Sequence, residues 1–189
     1  MNFMEIKALQ KARIDLGCGG NKQKGFIGVD KRDLPGVDIV MNLEEFPWLP
    51  IPDSSCELVV CSHFIEHLKP WLTIDFMNEV WRILEVGGDF ALSLPYAGSR
   101  GFWQDPTHCN GLNEVTWQYF DPEYPLYGIY KPKPWKILKG FPVYQVQGNM
   151  EVVLKKMELE NADVITDLSG ETIGISVVDV TVAGERIGG

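Results

Sequence analysis

The 189 residues hold four cysteines, Cys18, Cys56, Cys61 and Cys109, and no two of them form a CxxC pair or stand at zinc-finger spacing from a histidine. That pattern argues against a disulfide framework and a structural metal site, and no metal is expected. Cationic side chains are outnumbered as well: 17 Lys and Arg against 26 Asp and Glu give a formal charge of −9. Affinity for a phosphate backbone or an anionic bilayer depends on clustered cations, so neither nucleic acid nor a membrane surface is an expected partner. The local group Lys131, Lys133, Lys136 and Lys139 reads as a solvated face. No apolar run approaches the roughly 18 residues that cross a bilayer. The opening Met-Asn-Phe-Met-Glu-Ile-Lys lacks the basic start and apolar stretch of a secretory signal. The expected setting is the cytoplasm, with reduced thiols. Internal repeats and low-complexity segments are also missing.

What is present is enough apolar residue, 45% of the chain, to build one core in a single domain. Strand-like runs fall at Ala12 to Leu16, Phe26 to Asp30, Val37 to Asn42, Leu58 to Ser62 and Phe90 to Leu94. Between the last two the period changes. Leu72, Phe76, Val80, Ile83 and Leu84 recur at helical spacing after Pro70, and Gly87-Gly88 is the expected stop. An irregular aromatic-rich stretch follows to Pro134, with one short helix expected from Asn113, as N-cap, to Phe120. Trp135 to Val146 and Met150 to Met157 flank Gln147-Gly148-Asn149 and read as a β-hairpin. In the tail, Ile173 to Val182 is strand-like. Together these features predict an α/β, Rossmann-like fold: a mostly parallel sheet with helices on both faces and a C-terminal antiparallel β-hairpin. Ligands of such sheets bind beyond the strand carboxyl ends.

Two acidic residues stand at those ends. Asp15 precedes Gly17-Cys18-Gly19-Gly20, and Asp30 closes the next strand. A dinucleotide site would need GxGxxG, a helix N-terminus for the pyrophosphate and an acidic residue roughly 20 positions on. The third glycine position is Lys22, and Asn21 to Gly25 is too short for an ordinary helix. A ligand needing glycine clearance and a ribose acceptor without a phosphate fits better, and S-adenosylmethionine is such a ligand. The donor is cationic at sulfur and ammonium, so carboxylates help to hold it. Methyl transfer by direct displacement depends mainly on positioning and exclusion of water, and a general base is needed only when the acceptor arrives protonated.

The strings RIDLGCGGNKQKGFIGVD, DIVMNLEEFPWLPIPDSSCELVVCSHFIEHL and MNEVWRILEVGGDFALSLP resemble the class I S-adenosylmethionine-dependent methyltransferases, in particular a small type-11-like subset with a shortened first crossover. The resemblance covers Arg13 to Pro95 and extends weakly through Asp105-Pro106-Thr107-His108. It implies a single domain over 1–189: a cofactor core at 11–95, an acceptor-side insert at 96–134, the hairpin at 135–157 and a tail at 158–189. It implies Asp15 near the methionine ammonium, and Gly17, Cys18 and Gly19 as backbone beside the amino-acid part. Asp30 would accept the ribose hydroxyls, with Lys31 next to it. Asn42, where the family usually has Asp, would meet the adenine amino group, and Leu43 would wall the base. Ser62 and His63 would lie beside the sulfonium. His63 and His108 are the candidate acceptor contacts or bases, while Glu66 and His67 read more simply as the opening of a helix. Among the aromatics, Phe102, Trp103, Trp117, Tyr119, Phe120, Tyr124, Tyr127 and Tyr130 read mainly as packing of a cap over the acceptor. The implied reaction is methyl transfer to an O or N atom of a small-molecule or sugar-type acceptor, leaving S-adenosylhomocysteine, by a monomer or homodimer. The alternatives are a binding or regulatory module that keeps the donor pocket without catalysis, and a nicotinamide-dependent oxidoreductase.

Overall fold

The computed structural model describes residues 11–159. The expectations for the tail, Ile173 to Val182 included, lie outside the described residues. One mixed sheet contains β1 (Ala12–Leu16), β2 (Ile27–Asp30), β3 (Ile39–Val40), β4 (Cys56–Ser62), β5 (Leu84–Pro95), β6 (Trp135–Ile137), β7 (Val143–Tyr144) and β8 (Asn149–Lys156). The spatial order is β3-β2-β1-β4-β5-β8-β6, with β7 also on β8. Strands β1 to β5 pair in parallel, whereas β8 is antiparallel to β5, β6 and β7.

Register turns period-two alternation into a one-sided core. Ile14, Val59, Phe90 and Leu154 form one row across the sheet, and Leu16, Cys61, Leu92 and Val152 the next. None of these eight is more than 3% exposed. Arg13, Leu58, Ala91, Ser93 and Val153, on the alternate face, are half-buried or exposed.

Helix α1 (Thr73–Ile83) buries Phe76, Met77, Val80 and Ile83, the face its helical spacing predicts. The Phe76 ring lies 6.3 Å from Phe90 and 5.5 Å from Trp48. A 3-10 turn at Pro70–Leu72 leads into the helix. The helix ends at Ile83 rather than at Gly87-Gly88, because Leu84 turns extended and pairs with Cys56 at the start of β5. The glycine pair instead absorbs a register shift inside β5, with Gly87 at φ 78°.

The connection from β1 to β2 contains no helix, as its length predicts. The expected helix from Asn113 to Phe120 is only a 3-10 turn, Thr116–Tyr119. The Asn113 side chain still accepts from Val115 N and Thr116 N, as a cap does. The insert adds two one-turn helices, α2 (Arg100–Trp103) and α3 (Tyr127–Tyr130). The first hairpin arm is split into β6 and β7, since Gly140 at φ 92° and Pro142 interrupt it. Its turn closes as expected, with Gly148 N donating to Gln145 O at 2.9 Å. All four cysteines are free.

Candidate donor cleft and the histidine cluster behind it

Asp15 ends β1 almost fully buried, and its Oδ2 accepts from Gln23 N at 2.8 Å. Burial pushes its carboxyl pKa up, although the Gln23 N–H and Lys22 oppose the shift. Asp30, at the end of β2, has the opposite balance. Burial would raise it, but the Arg32 side chain, the Arg32 N–H and the Gly19 N–H together hold its pKa below the ordinary value. The distances are 3.1 Å from Arg32 Nε to Oδ1, 2.9 Å from Arg32 N to Oδ1 and 2.9 Å from Gly19 N to Oδ2. The Arg32 side chain is itself 61% exposed, so an incoming hydroxyl can displace it.

The glycine turn between the two aspartates is dictated by space. Gly17 sits at φ 69°, and a Cβ there would stand 2.6 Å from the Phe64 Cβ. A cleft of about 300 Å³ opens beside this turn, lined by Asp15, Cys18, Asn21, Gln23, Ser62 and His63. Burial, with Asp15 and Asp30 nearby, raises the Cys18 thiol pKa, which suits a packed neutral group rather than a nucleophile. Of the residues predicted from sequence, Asp15, Cys18, Ser62 and His63 therefore share one cleft. Gly19 and Asp30 adjoin it through their hydrogen bond. Leu43 is buried. The Asn42 amide orders its own turn, donating to Glu45 Oε1 at 2.8 Å and accepting from Glu44 N at 3.2 Å. Lys31 is exposed.

His63 departs from strand geometry directly after β4, at φ 52°, a conformation costly for a residue with a Cβ. Its N–H donates to Ser93 O at 2.9 Å, which anchors the turn on β5. The ring bridges two groups. Nδ1 lies 3.2 Å from Glu66 Oε1, and Asn149 Nδ2 lies 3.1 Å from Nε2. Glu66 raises the His63 pKa, against partial burial. His108 approaches the same carboxylate from the insert, its Nε2 4.0 Å from Glu66 Oε1. Its Nδ1 donates to Phe102 O at 2.8 Å, so it does order its loop, and its side chain is only 9% exposed. The two histidines singled out from sequence thus meet through Glu66, which is fully buried.

Sequence reasoning missed Asn21 and Gln23 in the cleft, Arg32 over Asp30, and Asn149 against His63. Asn149 reads only as a turn residue, and its reach to β4 comes from the antiparallel pairing of β8 with β5. Fewer of the insert aromatics pack than expected: Phe102, Trp117 and Phe120 are in the core, Tyr119 and Tyr127 are half-buried, and Trp103, Tyr124 and Tyr130 are exposed.

The residues suit S-adenosylmethionine. Asp15 lines the cleft and Asp30 is tied to its glycine turn through Gly19 N, two buried carboxylates of the kind a cation and a ribose need; the turn brings backbone to the cleft edge, and 300 Å³ lies at the lower end of ligand-pocket volumes. The comparisons agree. A family model described as "Methyltransferase domain" matches residues 14–92. A "Probable S-adenosylmethionine-dependent methyltransferase" of Mycolicibacterium smegmatis is 39% identical over 84 residues, which are 42% of this chain and 31% of that protein. The chain thus spans about a third of the length of the curated relative it matches. An S-adenosylmethionine-dependent methyltransferase from Archaeoglobus fulgidus superposes with a TM-score of 0.56 at 17% identity, over 81% of this chain and 90% of that one. Phosphoethanolamine N-methyltransferase 1 of Haemonchus contortus, solved with phosphoethanolamine and S-adenosylhomocysteine, gives 0.56 at 11% identity, over 87% and 41%. Over residues 14–92, then, the chain matches the methyltransferase-domain family model and resembles an S-adenosylmethionine-dependent methyltransferase in sequence, and its sheet has the Rossmann-like fold of such enzymes.

Proposed function

We propose that the chain is a one-domain methyltransferase that moves a methyl group from S-adenosylmethionine to an O or N atom of a small-molecule or sugar-type acceptor. The observation that carries this reading is the helix-free turn between β1 and β2 with a carboxylate at each end. A nicotinamide dinucleotide would require a helix N-terminus there for its pyrophosphate, and none is built. The acidic charge of −9 supports a small acceptor over a polyanion. No helix among the described residues is long and apolar enough to cross a membrane.

Bound S-adenosylmethionine supplies an electrophilic methyl group on a sulfonium. Asp15 would pair with the donor's ammonium, and Asp30 would take the ribose hydroxyls as Arg32 swings away. Gly17, Cys18 and Gly19 would offer backbone to the amino-acid part, while Lys31, Asn42 and Leu43 would flank the ribose and adenine. Ser62 and His63 would border the reacting centre. With Asn149 Nδ2 donating to Nε2, the His63 ring donates its Nδ1 proton to Glu66. Release of Asn149 by an entering acceptor would free the Nε2 lone pair to receive the acceptor's proton. His108, held by Phe102 O, would act at the acceptor side.

The test is calorimetry with S-adenosylhomocysteine and with NAD, followed by an acceptor screen with S-adenosylmethionine scored by S-adenosylhomocysteine release. Binding of S-adenosylhomocysteine and release with at least one hydroxyl or amine acceptor are expected. Binding of NAD alone would overturn the reading. Donor binding with no turnover across the screen would favour a regulatory module.

A further inference from the structure

We propose that Glu66, His67 and His108 form a binding site for one divalent transition-metal ion of the Zn2+, Co2+ or Mn2+ type, with Asp105 as an additional oxygen donor. Glu66, His67 and His108 each present a ligand atom, all within 4.8 Å of one another. The His108 Nε2 lies 4.0 Å from Glu66 Oε1 and 3.8 Å from Asp105 Oδ2. Those separations are too long for hydrogen bonds. They fall inside the roughly 4.2 Å that can separate two donors each about 2.1 Å from a shared ion. Any wider pair among Glu66, His67 and His108 must close by no more than about 0.6 Å. Asp105 stands outside that set, and its 42% exposed side chain must swing toward it to join.

Hydrogen-bond bookkeeping fixes both imidazoles in the form a metal needs. Phe102 O can only accept, so His108 Nδ1 carries a proton, and in the neutral ring Nε2 holds the lone pair. Thr107 Oγ1 donates its single proton to Asp105 Oδ1 at 2.7 Å, so it accepts from His67 Nδ1 at 2.9 Å. The His67 lone pair is thereby assigned to Nε2. A carbonyl and a hydroxyl behind two ligand histidines form the kind of outer shell that orients metal-bound imidazoles. The two rings stand 4.6 Å apart and nearly edge to face, at 69°.

The second observation is Glu66 itself. Its side chain is fully buried, Oε1 meets His63, and Oε2 has no partner among the described residues. A buried carboxylate oxygen without a donor is costly, and a cation bound to the Glu66 carboxylate, whose Oε1 faces His108 Nε2, would offset that cost. The backbone holds the group in place, because Cys109 N and Asn110 N both donate to Glu66 O, at 2.9 and 3.0 Å. Two neutral imidazoles with two carboxylates neutralise a dication and select a borderline ion over Ca2+. On the methyl-transfer reading above, on which this last step rests, the ion's open position binds and orients an oxygen of the acceptor beside His63, which lines the cleft and contacts Glu66. The sequence expectation of no metal looked to the cysteines; this candidate donor set contains none.

The experiment titrates chelator-treated protein with Co2+, followed by visible absorption, with Zn2+ as competitor. One saturable equivalent is expected, with affinity at least about 100-fold lower in His108→Ala and in His67→Ala. Thr107→Ala removes no donor and should cost about 10-fold by freeing the His67 ring. Cys109→Ser, which removes an exposed thiol near His67, should leave affinity unchanged. S-adenosylhomocysteine binding by the same variants should persist, which shows that they fold. No saturable binding, equal affinity in His108→Ala, or loss on Cys109→Ser would each overturn the site. Co2+ binding without S-adenosylhomocysteine binding in the unaltered chain would overturn the donor reading and leave the metal site standing; the reverse would overturn the metal site alone.

Discussion

Asp15 and Asp30 are both buried at strand ends, yet the protein sets them in opposite directions, and their expected behaviour differs accordingly. Asp30 is depressed, so its contribution to stability is complete above the unfolded carboxylate value near 3.9 and is lost as pH falls through its folded pKa. Asp15 is raised, so its burial penalty is full above its folded pKa and disappears below the unfolded value. A cationic donor needs Asp15 ionised. Affinity for S-adenosylhomocysteine, which keeps the ammonium, should therefore weaken as pH drops toward that raised pKa, before Asp30 protonates. Calorimetry across pH reads the effect, and in Asp15→Asn the pH dependence should vanish along with the affinity. Asp30→Ala should weaken binding by about 1.5 to 3 kcal/mol, the usual cost of losing hydrogen bonds to a charged acceptor. Unchanged affinity would remove Asp30 from the pocket. The place of Asp15 in the cleft was legible in the sequence, because a carboxylate near the end of a strand beside a glycine turn sits where such sheets bind ligands. Arg32 was not, since a cation two residues past an aspartate reads as surface until the backbone turns it back.

At the scale of the element, the turn after β1 and the short segment after β4 support each other. Gly17 can take φ 69° because it lacks a Cβ, and that gap is filled by Phe64, which follows the strained His63. Gly17→Ala combines a left-handed alanine, at about 1 kcal/mol or more, with overpacking of about 1 to 3 kcal/mol. Urea unfolding should show a loss of about 2 to 4 kcal/mol, and donor affinity should fall with it. The sequence revealed the turn and the missing crossover helix through Lys22 and the short Asn21 to Gly25 interval. It misplaced the end of α1, because Gly87-Gly88 carries the ordinary stop signal. Fully buried Leu84 instead ends the helix by joining the ladder opposite Cys56. The His63, Glu66 and His108 meeting was hidden for another reason. Glu66 and His67 fit a helix opening equally well, and only tertiary structure brings His108 across from the insert.

Across the whole molecule, the antiparallel β6 to β8 segment is what completes the core. Phe90 in the middle of β5 touches Phe76 of α1 on one side and Trp135 of β6 on the other, at ring distances of 6.3 and 5.9 Å. Trp135 is fully buried, and Trp81 Nε1 donates to the carbonyl of Pro134 beside it. If the hairpin were an appendage, its loss would leave the parallel sheet intact. The shared aromatic contacts predict that it would not. Trp135→Ala should destabilise the protein by about 3 to 5 kcal/mol, the range for emptying an aromatic site in a core. Unfolding should remain a single transition, with fluorescence and circular dichroism coincident. The Trp135 Nε1 has no hydrogen-bond partner among the described residues, so the indole N–H contributes desolvation cost rather than stability. Trp135→Phe should therefore cost less than half as much as the alanine change. A second, separate transition in Trp135→Ala, with the donor cleft still binding S-adenosylhomocysteine, would show that the hairpin and the cofactor core fold as independent units.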